Sequence, residues 1–407
     1  MTTTHATPIV PLAPRSTRPV RCGEDGRIRI SVIGSTGSVG CQTLDVLVAL
    51  PDRFVVRGLV ARQSGETLRG QIAAHAPSVV GFDGPADALG ALPLGTETMS
   101  SSAAMAALAR DDQTDILVVA SSGHAAITAT LDALKQGKVV ALANKEAVVC
   151  AGPLVIEAML AGGGEVRPVD SEHSAIWQSL GASDGRDVRR LTLTASGGPF
   201  RTWSREQMRD VSAAQALNHP TWRMGGKITI DSATLVNKGL ELIEARWLFG
   251  VEPAILDVVV HPESIIHSLV EFADYSQVAQ LSLPDMRLPI QFALTWPEHA
   301  PSPCRPLSLA ELGQLTFEAP DEDRFPGLRL AREAMIAGST FPTVYSAADE
   351  VAVKAFLAGR IGFTGIADAI AAALDAHVPV GSFSLDAIEE ADHWAREMVA
   401  ARVARAG

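Results

Sequence analysis

The sequence lacks the features that mark several protein classes. Among its 407 residues there are only four cysteines, Cys22, Cys41, Cys150 and Cys304, and no CxxC pair. Neither a disulfide framework nor a thiolate zinc site is expected, which fits a reducing compartment. No uninterrupted apolar run reaches the roughly 18 residues of a membrane-spanning helix. Bases are outnumbered, 34 Lys and Arg against 46 Asp and Glu, so the broad basic surface that nucleic acid requires is missing. A small anionic ligand remains compatible with this charge if a few local cations or a metal ion overcome the general field.

With 47% hydrophobic residues the chain can bury a large core, and its length suggests two or three domains. The opening MTTTHATPIVPLAPRSTRPVRC has no acid and carries Arg15, Arg18 and Arg21 among Thr and Pro. Residues 1–27 are read as a disordered tail and a cytoplasmic location is expected; the alternative is a transit peptide with a plastid location.

From Arg27 the pattern changes. RIRISVIGSTGSVGCQTLDVLVAL reads as strand, glycine turn and helix, FVVRGLVA and SVVGFD as further strands, and DILVVASSGHAAITATLDALKQGKVVALANKEA as strand, helix and strand. This alternation predicts an α/β fold opening with a Rossmann-like dinucleotide-binding domain over 28–168. A catalytic α+β connective domain is placed at 169–295, where RRLTLTA, ILDVVVH and QVAQLSL alternate with polar loops. The proline-rich stretch 296–326 is read as a linker, and 327–407 as a C-terminal helical bundle.

GSTGSVG puts Gly34, Gly37 and Gly40 between a strand and a helix, where the backbone can approach a pyrophosphate held by the helix N-terminus. The GxxGxxG spacing is not the usual GxGxxG, and a ligand-free turn is the competing reading. An NAD site would show an acid about 20 residues further on. Here the second strand runs into Arg62, Gln63 and Ser64, and a cation at that place suits the 2′-phosphate of NADPH; the alternative is a solvated surface arginine.

PVDSEHS puts Asp170 and Glu172 two apart at a strand end, so both carboxylates can face one point. Two oxygens do not specify a metal, and a capping Asp beside an exposed Glu is the alternative. TASGGPF, with Ser196, offers hydroxyl and backbone donors to an anion. NHPTWRMGGK carries His219, Trp222 and Gly225 in a stretch suited to a lid, against the alternative of local packing. In DSATLVNKGLELIE, Ser232, Asn237 and Lys238 are donors near a helix N-terminus, fit for a phosphate monoester. Glu241, one turn on, is the candidate third metal ligand, and Glu244 lies behind it.

GSTGSVG, LANKE, PVDSEHSAIWQ, ASGGPF, HPTWRMGGKITIDSATLVNKGLELIEA, HPESIIHS and PDMRLPIQFAL occur in that order. Over about residues 28–375 the chain resembles the 1-deoxy-D-xylulose 5-phosphate reductoisomerases of the non-mevalonate isoprenoid route. The resemblance implies NADPH- and metal-dependent isomerisation and reduction of this phosphorylated sugar to 2-C-methyl-D-erythritol 4-phosphate by a homodimer. It implies that Asp170, Glu172 and Glu241 hold Mn²⁺ or Mg²⁺, with Co²⁺ as a further candidate, and that Lys145 joins them in catalysis. Ser171, Ser196, His219, Trp222, Ser232, Asn237 and Lys238 are the implied substrate contacts. Thr36, Gly37, Ser38, Val39, Asn144, Glu146 and Gly225 are the implied NADPH contacts. Two places depart from the family pattern: Arg62, Gln63 and Ser64 replace a usual Gly-Lys-Asn, and YSAADE puts Ser346 and Asp349 where asparagines are usual.

His173 and His267 are candidate proton-transfer helpers or, in the commoner case, structural histidines. Two rival functions are a metal-independent sugar or aldehyde dehydrogenase and an NADPH-sensing regulator; the latter would leave the carboxylate trio without a purpose.

Overall fold

Seven parallel strands form the first sheet: β1 (Ile28–Ile33), β2 (Phe54–Ala61), β3 (Val79–Phe82), β4 (Glu97–Met99), β5 (Ile116–Val119), β6 (Val139–Leu142) and β7 (Glu165–Pro168). The computed structural model describes residues 11–14, 20–181, 187–222, 224–379 and 381–406. The strand order is β4-β3-β2-β1-β5-β6-β7. β5 and β6 are short aliphatic runs buried at every position, as strands covered by helices on both faces must be. After β1 the chain builds outward through β2, then returns to the other side at β5. That reversal opens a crevice at the carboxyl ends of β1 and β5, where such folds bind ligands.

The second sheet has β8 (Val188–Ala195), β9 (Leu256–Val260), β10 (Ile266–Phe272) and β11 (Gln277–Leu281), in the order β11-β10-β8-β9. β8 pairs with β9 in parallel, and β10 is antiparallel to both of its neighbours. On β8 the exposed positions are charged, with Arg190 paired to Asp257 at 2.9 Å, while Leu191 and Leu193 are buried. The helices Gly327–Ala337, Phe341–Leu357, Gly365–Ala376 and Leu385–Ala406 form the C-terminal bundle. The fold is therefore α/β with a Rossmann-like N-terminal domain, a connective domain and a C-terminal helical domain.

Three segments make contacts across the domain bounds expected from sequence. Residues 11–14 do not behave as a free tail: Leu12 and Ala13 are buried, and their N–H groups donate to the carbonyls of Trp247 and Leu248 at 3.2 and 2.8 Å. The Trp177 indole donates to the Pro14 carbonyl at 2.8 Å, so an apolar pair and a backbone acceptor fasten this segment. Residues 1–10 and 15–19 lie outside the described residues. The helix Arg287–Thr295, assigned to the connective domain, buries Ile290, Ala293 and Leu294 in the core that contains Ile30 and Val32 of β1. The stretch expected to be a linker adds a bridge to the second sheet, Glu318 pairing with Val260 of β9.

Candidate active site

The site is assembled where the two sheets meet, in a cleft of about 670 Å³. One wall begins at the glycine turn. Gly34 has φ +83°, and a Cβ there would lie 2.7 Å from the Ser121 nitrogen, so only glycine fits between the ends of β1 and β5. Ser38 and Val39, in the first turn of the helix Ser38–Ala49, line the cleft. Asn144 and Glu146 shape the opposite turn. The Asn144 amide donates to the carbonyls of Ser121 and Gly123 at 2.7 and 3.1 Å, and Glu146 accepts the Gly123 N–H at 2.9 Å. Thr36 and Gly37 lie within the glycine turn but outside the cleft lining. Arg62, Gln63 and Ser64 are exposed just past β2.

The floor is a carboxylate cluster. Asp170 caps the helix Ser171–Leu180, whose first turn carries Glu172; Glu241 projects from the second turn of Val236–Phe249. Ligand oxygens of the three lie within 4.8 Å of one another. Glu241, the third carboxylate considered from sequence, lies in this group.

Two lysines are set among these acids. Lys145, at the start of Lys145–Gly162, is ion-paired with Asp170 and reaches Glu241 and Glu244 at 3.5 and 3.6 Å. Lys238 donates to Glu172 at 2.8 Å and also pairs with Glu241. Burial opposes the charge of Lys145, but Asp170, Glu241 and Glu244 outweigh it and hold the ammonium well above its ordinary range. Burial likewise opposes the charge on Asp170, yet Lys145 brings it down to about 2. Glu172 is lowered in the same way, with Lys238 overcoming burial. Glu241 and Glu244 go the other way, to about 7: burial acts first in both, followed for Glu241 by repulsion from Glu172.

Four carboxylates therefore face two ammoniums, leaving an excess of buried negative charge. An all-oxygen donor set with this excess suits a hard divalent cation. Asp170, His173 and Glu244 also converge, but Lys145 already lies against that side, and His173 Nε2 is bonded to the Glu241 carbonyl at 2.9 Å.

The roof and far end offer neutral donors. His219 Nδ1 accepts the N–H groups of Thr221 and Trp222 at 3.1 and 2.9 Å. Burial lowers the His219 pKa, so the neutral ring carries its proton on Nε2, which faces Ser196 and Ser232 at 3.0 and 3.1 Å. His219 shares its one Nε2 proton between their oxygens, and the two hydroxyls can turn their own protons toward an anion. Gly197 and Gly198 follow in left-handed conformations, φ +80° and +67°, and turn the backbone around Ser196. Trp222 leans edge-on toward His267, with ring centroids 6.3 Å apart.

Three family profiles match in tandem: 1-deoxy-D-xylulose 5-phosphate reductoisomerase over residues 30–152, and two C-terminal domains of the same enzyme over 166–249 and 281–398. A relative of that name from Thermomicrobium roseum is 51% identical over 382 residues, covering 93% of this chain and 99% of that protein. The chain belongs to the 1-deoxy-D-xylulose 5-phosphate reductoisomerase family. Another such reductoisomerase, from Geobacter metallireducens, is 47% identical across 91% of this chain and 97% of its own.

Two solved reductoisomerases superpose over nearly the whole length. The Zymomonas mobilis enzyme in complex with NADPH has a TM-score of 0.86 at 40% identity, covering 93% of this chain and 99% of that one. A second, in complex with NADPH, fosmidomycin and magnesium, has a TM-score of 0.87 at 37% identity, covering 92% and 98%.

Within this reductoisomerase fold, Lys145, Asp170, Ser171, Glu172, Ser196, Trp222, Gly225, Ser232, Asn237, Lys238 and Glu241 all line this cleft. His219 stands behind its two serines. Asn237 and Lys238, expected on the phosphate, also bond Glu241, so donors and carboxylates form one network. The cleft adds Met224, Ile228 and Met286, which no polar signal marked, and Arg287. Met286 and Arg287 lie within the motif PDMRLPIQFAL, whose order, though not its role, was visible. His267 is buried and bonded to Ser282, Oγ at 2.9 Å, and His173 to a backbone carbonyl, so both have structural bonds.

Proposed function

We propose that the chain converts 1-deoxy-D-xylulose 5-phosphate to 2-C-methyl-D-erythritol 4-phosphate with NADPH and Mn²⁺ or Mg²⁺, in this cleft and with these residues. The observation that carries the assignment is the convergence of Asp170, Glu172 and Glu241 beside the Ser196–His219–Ser232 donor group. When bound, the divalent ion supplies Lewis-acid polarisation of the sugar oxygens, and NADPH supplies the hydride.

The chain's own residues do the rest. Asp170, Glu172 and Glu241 would hold the ion, and Co²⁺ satisfies the same donors. Ser196, Ser232, Asn237 and Lys238 anchor the phosphate, with His219 orienting the two hydroxyls. Ser171 contacts the sugar, and the Lys145 ammonium balances negative charge that develops on its oxygens. Trp222 covers the substrate and excludes water. Thr36, Gly37, Ser38, Val39, Asn144, Glu146 and Gly225 form the NADPH site, and Arg62, Gln63 and Ser64 its 2′-phosphate end.

The molecule acts as a homodimer in this reading. β11 is a sheet edge whose Val278 and Leu281 are exposed, and such an edge calls for a partner. No helix among the described residues is long and apolar enough to cross a membrane, and a cytoplasmic location is proposed. The test is NADPH oxidation by the purified chain with 1-deoxy-D-xylulose 5-phosphate, with and without Mn²⁺ or Mg²⁺. Turnover that depends on both sugar and ion is expected; undiminished oxidation after chelation would favour a metal-independent dehydrogenase.

A further inference from the structure

Outside the cleft lining, Lys227 stands between two buried carboxylates from different domains. Its ammonium donates to Oδ2 of Asp231 and Oδ2 of Asp349, each at 2.6 Å. Asp231 is 2% exposed and Asp349 is fully buried. The second oxygen of each, Oδ1, is buried with no donor among the described residues. One ammonium cannot neutralise two carboxylates, and an uncompensated buried charge is strongly disfavoured.

Among the described residues, the neighbouring elements bring no second cation to either carboxylate. From the helix Phe341–Leu357, the Tyr345 hydroxyl donates to the Gly327 carbonyl at 2.9 Å, and Glu350 is engaged with Lys354 and Arg396. From Lys145–Gly162, Glu146 adds negative charge. Two like charges this close relieve their repulsion by keeping one proton. In agreement, burial and then the Asp349 charge push Asp231 up to about 8, and burial raises Asp349 as well.

We propose that Asp231 and Asp349 share one proton beneath Lys227, and that this link positions the Ser232-bearing helix against the C-terminal bundle for phosphate binding. The positioning half rests on the phosphate role proposed above for Ser232. The helix is Gly226–Ala233: it starts just after Gly225, Lys227 lies in its first turn, and Asp231 precedes Ser232 directly. Losing the shared proton places a new negative charge one residue from the phosphate site and weakens the tie to the bundle. The sign follows from linkage. An acid raised from 3.8 to about 8 contributes stability that is full below the unfolded value and is lost as pH rises through about 8.

Two measurements test the proposal. In the intact chain labelled with ¹³C at aspartate carboxyls, one carboxyl is expected to titrate near pH 8; ionisation of every aspartate by about pH 6 would overturn the shared proton. In kinetics, the KM for 1-deoxy-D-xylulose 5-phosphate should rise between about pH 7 and pH 9 by up to about tenfold more in the native chain than in Asp349→Asn. That is the limit for binding that needs a proton lost one pH unit earlier. The ratio of kcat between the two proteins should stay flat. Parallel KM profiles would overturn the positioning role. If the native chain does not turn the sugar over, the functional reading fails and takes that role with it, while the carboxyl titration still decides the shared proton.

Discussion

Nζ of Lys238 lies 2.8 Å from Oε1 of Glu172 and pairs with Glu241 as well, so the lysine proposed to bind the phosphate also braces two of the three convergent carboxylates. Removing Glu241 should therefore strip a ligand from the ion and release Lys238. For Glu241→Gln, Mn²⁺ affinity measured by titration calorimetry is expected to fall at least about a hundredfold, since even outer-shell partners of a metal cost 10–100-fold. Native affinity in that variant would sink the assignment.

Ser232 tests the anion end separately. Ser232→Ala removes one hydroxyl donor to a charged group, worth about 1.5–3 kcal/mol, or at least about tenfold in binding. Steady-state kinetics should show that loss in the KM for the sugar phosphate, with kcat nearly unchanged. A fall confined to kcat would place Ser232 in the chemistry and not in anchoring.

Arg62 is exposed just past β2, and in the reading proposed above it meets the cofactor's 2′-phosphate while screened by water. Arg62→Glu should raise the KM for NADPH far more than for NADH, by about tenfold for one charge-assisted contact. Equal effects on the two cofactors would show a surface arginine with no role in selection.

Gly239 sits at a helix crossing. A Cβ there would lie 2.5 Å from Ala331 Cβ and 2.6 Å from the Tyr345 hydroxyl. Gly239→Ala gains about 1 kcal/mol of helix propensity, but overpacking a buried contact costs up to about 3, so the clash wins. A lower thermal midpoint is the expected outcome in calorimetry; a higher one would mean that the helices Val236–Phe249 and Gly327–Ala337 can separate freely.

What the sequence disclosed followed from locality. The parallel sheet was legible because β5 and β6 are short unbroken apolar runs and β1 and β2 are rich in β-branched residues, and the C-terminal helices because their 3.6-residue pattern needs no distant information. The glycine turn and the pair Asp170 and Glu172 were likewise visible within a few residues. Features set by distant partners were not. β10 follows directly on HPES and is defined by its pairing with β8 and β11. The helix Arg287–Thr295 looked like part of the connective domain because only the fold brings it under β1. Lys227 and Asp231 are four apart and readable as a helix pair, yet Asp349, 122 positions from Lys227, turns that ordinary pair into an unusual one.

The docking of Leu12, Ala13 and Pro14 bears on the order of assembly. These residues are made before their dock: the indole that binds Pro14 lies 163 positions later, and the carbonyls of Trp247 and Leu248 later still. At a synthesis rate of about 5–20 residues per second, the segment waits on the order of ten seconds or more for its dock to emerge. It therefore closes over the helices that carry Glu172 and Glu241 as a late step, after both have been made.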